Sequence, residues 1–293
     1  MKRVWKRMIL VTVSAAACGC KPAVKQTQNI PVTQRPVAKD ATQEELLERY
    51  NAFVRGVQSI NSTLELKATA GSKYTGVIDE YHEVKAFLLA KRPYDVRMVG
   101  QVPVVGKTVF DMASDAQTFE VSIPSKNKFL TGSVALERQS NKPIENLRPQ
   151  HLLGAVLWPE VHKEEVVLFE EANDENTRYY VLTVLRGGYK TEILRKIWFD
   201  RADLEVCRLE EYGPKGALFS DAHYGNWQPV APGSTEEYPM MIRIERPRDE
   251  YALNLTISKI ALNEPLTAEQ FKLEAPGGAE IVRVGEENGE KKP

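Results

Sequence analysis

YALNLTIS, residues 251–258, alternates without a break. Leu253, Leu255 and Ile257 fall on one side; Asn254, Thr256 and Ser258 fall on the other. A period of two puts the aliphatic set on one face of a β-strand and the polar set on the opposite face. Such a strand needs neighbours, because an isolated hairpin is marginal in water. The neighbours are legible upstream. Leu64, Leu66 and Ala68 alternate with Glu65, Lys67 and Thr69, and Val96 and Met98 flank Arg97. Phe119, Val121 and Ile123 flank Glu120 and Ser122, while Tyr180, Leu182 and Val184 alternate with Val181, Thr183 and Leu185. Gly, Pro and Asn-Asp clusters separate these segments, as in antiparallel strands joined by turns, about ten or eleven in all.

Two stretches have a different period. Thr42 followed by Glu45 reads as a capping box. Leu46, Leu47, Tyr50, Phe53, Val54, Val57 and Ile60 follow at helical spacing and predict an amphipathic helix over 43–59. IENLRPQHLLGAVL, residues 144–157, predicts a second helix with Leu147, Leu152, Val156 and Leu157 as its apolar members. The plan is α+β: one long, curled antiparallel sheet with two helices to cover its apolar face. A loose cover leaves an apolar cavity, which suits acyl chains. The lining candidates are Phe53, Val57, Leu147, Leu152, Val156 and Leu157 on the lid, and Phe119, Val121, Trp198 and Trp227 on the sheet. Trp158, Tyr212, Phe219 and Tyr224 are further aromatic candidates, with ordinary core packing the competing explanation.

The front of the chain sets the compartment. MKRVWKR is basic, and MILVTVSAAA, residues 8–17, is almost wholly apolar. A basic start, a short apolar run and small residues describe a secretory signal. The run is too short for a bilayer, which needs about 20 apolar residues. SAAACGCKP, residues 14–22, holds two of the three cysteines. A zinc site would need two further ligands nearby, and a disulfide between residues two apart would be strained. Ala15-Ala16-Ala17-Cys18 resembles a bacterial lipoprotein cleavage site, with Ala where leucine is usual three residues before the cysteine. Cys18 is therefore the expected lipidation site, with Cys20 the alternative. Residues 1–17 are then the signal, 18–41 a lipidated, Pro- and Gln-rich tether, 42–284 one domain and 285–293 a charged, disordered tail.

The composition narrows the chemistry. With a net charge of −1 over 293 residues, nothing points to nucleic acid. Cys207 is alone after cleavage, so no disulfide framework is expected. Gly100-QVPVV-Gly106-Lys107-Thr108 misses the phosphate-loop spacing by one residue and is read as a hairpin turn. His82, His151, His162 and His223 form no helical metal pair, and Asp221-x-His223 and His162-x-Glu164 are read as solvated surface. No G-x-S-x-G elbow occurs. No metal, cofactor or catalytic residue is expected.

Three stretches resemble the LolA/LolB superfamily of periplasmic lipoprotein carriers. Residues 92–132 carry a strand ending near Arg, then Ser114-Asp115 and an aromatic strand, with Ala116 where the family has glycine. Residues 197–230 read as a long hairpin leading into Tyr224-x-Asn226-Trp227. Residues 238–276 supply the Leu-x-Leu-x-Ile strand, Leu262-Asn263-x-Pro265-Leu266 and the Phe271-x-Leu273-x-x-Pro276 close. The resemblance implies a half-open β-barrel with a helical lid that binds acyl chains without covalent chemistry. It implies a non-enzymatic carrier or acceptor of lipoprotein or membrane-lipid acyl chains, with a soluble periplasmic carrier as an expected partner. Cys18 favours the lipid-anchored acceptor, and Gly19 in place of Asp favours the periplasmic side of the outer membrane. The acceptor's membrane-inserting leucine loop has no counterpart legible here. The rival expectations are an envelope assembly scaffold that holds a protein partner, and a hydrolase with an unrecognised site.

Overall fold

The computed structural model describes residues 37–72, 77–136 and 146–285. Cys18, Cys20, the signal and most of the tether lie outside them, as do residues 286–293 of the tail. Helix α1 spans Gln43–Gly56 and opens on the expected capping box, with Thr42 and Glu45 each accepting from the other's backbone N–H. Then come β1 (Ser59–Ser72), β2 (Val77–Glu80), β3 (Val84–Lys91), β4 (Asp95–Gln101), β5 (Thr108–Ser114), β6 (Thr118–Ile123) and β7 (Lys128–Ser133). Helix α2, Gln150–Val156, separates these from β8 (Glu165–Asn173), β9 (Arg178–Arg186), β10 (Glu192–Asp200) and β11 (Val206–Gly213). β12 (Ala217–Pro229), β13 (Glu237–Arg246), β14 (Tyr251–Leu262) and β15 (Glu280–Arg283) follow.

The fifteen strands among the described residues belong to one sheet, more than the ten or eleven expected. The path runs β15-β7-β6-β5-β4-β3-β1-β14-β13-β12-β11-β10-β9-β8, with β2 beside β1. Every pairing is antiparallel except β15 on β7. Two meanders are therefore joined at a seam, where β1 pairs with β14 in the register Leu66↔Leu255. The two ends of the path do not pair, so the expected half-open barrel is met only as a single open sheet with helices on one face.

The alternation in the sequence decides which face is inside. Leu64, Leu88, Val96, Met98, Leu182, Val184, Ile197, Leu209, Ile242 and Leu255 form one core with Leu46, Tyr50 and Val54 of α1 and Leu152, Ala155 and Val156 of α2. Removing that much apolar surface from water is the main stabilising term.

α2 is half the expected length. Residues 144 and 145 lie outside the described part, and Leu147–Pro149 are not helical. Pro149 occupies the N-cap. The residue before a proline is pushed out of the helical region, so the helix cannot extend backwards through Arg148. The Gly100–Thr108 stretch is a hairpin turn between β4 and β5, as read from the sequence.

Candidate functional site

α2 is too short to persist on its own, and its C-terminal carbonyls need partners. The sheet supplies them. The Tyr224 hydroxyl donates to Ala155 O at 3.0 Å and the Tyr238 hydroxyl to Val156 O at 2.8 Å. The Trp158 indole N–H also donates to Ala155 O, at 3.2 Å. α1 is tied to the same segment. Tyr50 donates to Pro159 O, and the Asn51 amide exchanges two bonds with the Val161 backbone. Arg92 bridges the carbonyls of Val57 and Trp158. Burial pushes the phenols of Tyr50, Tyr224 and Tyr238 far above the usual range.

The rings meet where α1 crosses this junction. Phe53 lies 4.3 Å from Trp158 and 5.6 Å from Trp227, centroid to centroid, and Tyr224 lies 5.0 Å from Trp158. A strictly alternating strand would put Tyr224 and Trp227 on opposite faces. Asn226 between them is left-handed at φ 56°, which breaks the pleat and lets both reach the cluster. Beside it is a pocket of about 180 Å³, with Tyr50, Trp158, Phe199 and Val206 as its buried floor and Phe53 and Trp227 as half-buried walls. Its mouth is polar: Arg49, Glu205, Thr235 and Glu237. Arg49 pairs with Glu205. Burial, with help from nearby Asp203 and Glu237, raises the Glu205 carboxyl despite Arg49.

The cavity candidates divide. Phe53 and Trp227 line this pocket. Leu152, Val156, Leu157 and Val57 are buried in the packed core, and Leu147 rests against it. Space between lid and sheet is closed there, because the lid's apolar face interdigitates with the strands. Trp198 is on the opposite face of the sheet from its neighbours Ile197 and Phe199, and its indole N–H donates to Glu210 at 3.1 Å. It does not line this pocket. Phe119 and Val121 lie on β6, near the far edge of the sheet, where Phe119 packs under the Arg148 guanidinium, 5.0 Å from its ring centre. The sequence did not single out Tyr50, Phe199 or Val206 as lining. Tyr50 was legible as an inward helix position, and Phe199 needed the pairing of β9, β10 and β11 to be placed.

Two other features stand outside this pocket. The turn between β4 and β5 presents Val102, Val104 and Val105 to solvent. Val105 N–H donates to Pro103 O at 2.8 Å across Val104, which sits at φ 69°. This is a tight three-residue turn that a β-branched residue rarely occupies. On the outer face, Arg208 grips Asp221 through two bonds of 2.7 Å, and His223 lies 3.2 Å from the same carboxylate. Burial would raise Asp221, but the bonds from His223 and Arg208 hold it down at about 2. Among the described residues no group of three His, Cys, Asp or Glu side chains is placed to hold a metal ion. Burial pushes the Cys207 thiol up to about 12, so it is an inert core-edge side chain.

No family model and no curated protein sequence matches the chain. Solved structures do. A LolA superfamily protein from Nitrosomonas europaea is 15% identical, with 80% of this chain and 99% of that one covered at a TM-score of 0.48. A DUF1329 family protein from Desulfovibrio piger is 15% identical, with 77% and 94% covered at a TM-score of 0.48. A Vibrio parahaemolyticus domain, described as that of an outer membrane lipoprotein-sorting protein, is 12% identical, with 78% and 95% covered at 0.44. The chain is thus structurally similar to solved LolA-superfamily, DUF1329 and lipoprotein-sorting domains, at low sequence identity.

Proposed function

We propose that this chain is a non-enzymatic carrier or acceptor of acyl chains in the bacterial envelope. Residues 42–284 form the binding domain, anchored through Cys18, or alternatively Cys20, to the periplasmic side of the outer membrane. The observation that carries this reading is the aromatic pocket between α1 and the sheet. Its floor is apolar, it opens to solvent, and no group of side chains placed to hold a metal ion occurs among the described residues. Acyl chains ask for such walls and for few directional contacts.

At about 180 Å³ the pocket takes the end of a chain. Pockets that hold whole ligands run to roughly 300–1,000 Å³, so a full chain requires α1 to lift from the sheet. Each methylene buried contributes about 0.8 kcal/mol toward that opening. Cargo would then pass between carriers by differences in affinity. The apolar valine tip of the β4–β5 turn would meet the lipid surface.

The test is mass spectrometry under non-denaturing conditions on the full chain purified from a bacterial envelope, with uptake of a fluorescent, uncharged monoacylglycerol as the second readout. Trp227→Asp is the useful variant, since Trp227 is half-buried; Leu152→Asp would place a charge in the core. Bound lipid or acylated peptide that is lost in Trp227→Asp supports the carrier. A bare protein that refuses the monoacylglycerol sinks it. One observation favours the scaffold reading instead: among the described residues β8 has no strand on its outer side, and Val166, Leu168 and Phe169 are exposed. An open apolar edge invites an added strand, and capture of a peptide by β8 without any lipid affinity would favour that reading.

A further inference from the structure

From the make-up of the pocket mouth we infer that it recognises an ammonium group, the head group of an amine-bearing amphiphile. This deepens the carrier reading and rests on it for the chain that follows the head group. Two features coincide. The pocket's half-buried walls are the rings of Phe53 and Trp227, with Trp158 and Tyr50 behind them. Ring faces carry negative potential and attract cations, trimethylammonium groups among them. The rim adds carboxylates: Glu205 and Glu237 line it, and Asp203 is close enough to raise the Glu205 carboxyl.

The basic groups nearby are engaged. Arg49 is held by Glu205, and the Lys39 ammonium donates to the Asp203 carbonyl at 3.3 Å. No ion pair engages Glu237 among the described residues. Among the described residues Glu237 is thus left at the rim with no ion-pair partner, beside the aromatic walls. An anionic head group would meet Glu237 and the ring faces, both repulsive, against an Arg49 already paired with Glu205; a neutral one would gain nothing from Glu237 or the rings. A cation gains from both.

The experiment uses the full chain and small probes. Choline is titrated against its neutral isostere 3,3-dimethylbutan-1-ol and the anion 3,3-dimethylbutyrate, with tryptophan fluorescence and calorimetry as readouts. Choline should bind on the order of tenfold more tightly than the alcohol, and the anion should not bind. Glu237→Gln removes an exposed charge and keeps the fold, and should weaken choline several-fold while leaving the alcohol unchanged. Dihexanoyl phosphatidylcholine distinguishes the sources: binding well above that of choline assigns a lipid head group, and binding no better than choline overturns the amphiphile. Equal binding of choline and alcohol, or an unaffected Glu237→Gln, overturns the inference. The carrier reading is read separately, by a fluorescent, uncharged monoacylglycerol: its uptake without choline selectivity sinks only the ammonium site, and choline binding without its uptake sinks only the carrier.

Discussion

Tyr238 and Tyr224 hold the end of α2 with single hydroxyls, and each phenol is buried. Tyr238→Phe leaves the Val156 carbonyl without its donor in the core. The expected loss is about 1–2 kcal/mol, read as a lower urea midpoint. The same burial sets a pH limit. The folded-state pKa values of Tyr50, Tyr224, Tyr238 and Tyr251 lie above the unfolded value near 10. Their contribution is intact below pH 10 and is lost as the pH rises beyond it, because only the unfolded chain then releases those protons. Urea midpoints at pH 9 and pH 11 should differ sharply, and less so in a Tyr224→Phe/Tyr238→Phe double variant. At three places a phenylalanine ring covers a glycine: Phe110 on Gly100, Phe119 on Gly132 and Phe219 on Gly213. A Cβ on Gly100 would come within 2.3 Å of the Phe110 ring. Gly100→Ala should therefore destabilise by about 1–3 kcal/mol, although alanine favours the folded backbone in general.

At the scale of elements, the β4–β5 turn combines strain with exposed apolar side chains. A non-glycine residue in the left-handed region costs roughly 1–2 kcal/mol. Val104→Gly should raise stability by about 1 kcal/mol and weaken flotation of the protein with phospholipid vesicles. A stabilised variant that floats equally well would separate the turn from any lipid contact. The turn itself was legible in the sequence, from its Pro and Gly; the φ of Val104 was not, because valine is the last residue one would place there. α1 was legible to within a few residues, because its cap and its apolar spacing agree. α2 was overextended, because Leu147 continues the apolar spacing across Pro149 and periodicity is blind to a missing N–H. The aromatic pocket was half legible. Phe53 and Trp227 could be named as apolar, but Trp198 looks the same in the sequence, and only the pairing of β10 with β9 and β11 turns it outward.

At the scale of the whole molecule, the α+β class and the covered sheet followed from the switch between two periods, as in Leu253-x-Leu255-x-Ile257. The strand count fell short where strands lack clean alternation: β8 reads EVVLFEEAN, and β15 is four residues long. The seam lay beyond reach of the sequence. Nothing in Leu66 or Leu255 says that they lie side by side, since their pairing depends on where every intervening turn sends the chain.

That seam gives the protein a timetable. β1 is made early and its partner β14 about two hundred residues later, as Asn61↔Ala261 records. At roughly 5–20 residues per second of synthesis, β1 waits on the order of ten to forty seconds for its neighbour. Through that interval the first meander has an open edge at β1 and a bare greasy face, the condition under which nascent chains stick to one another. Folding is thus gated by the last third of the chain, and a version ending at residue 250 should be recovered in the insoluble fraction while the full chain stays in solution.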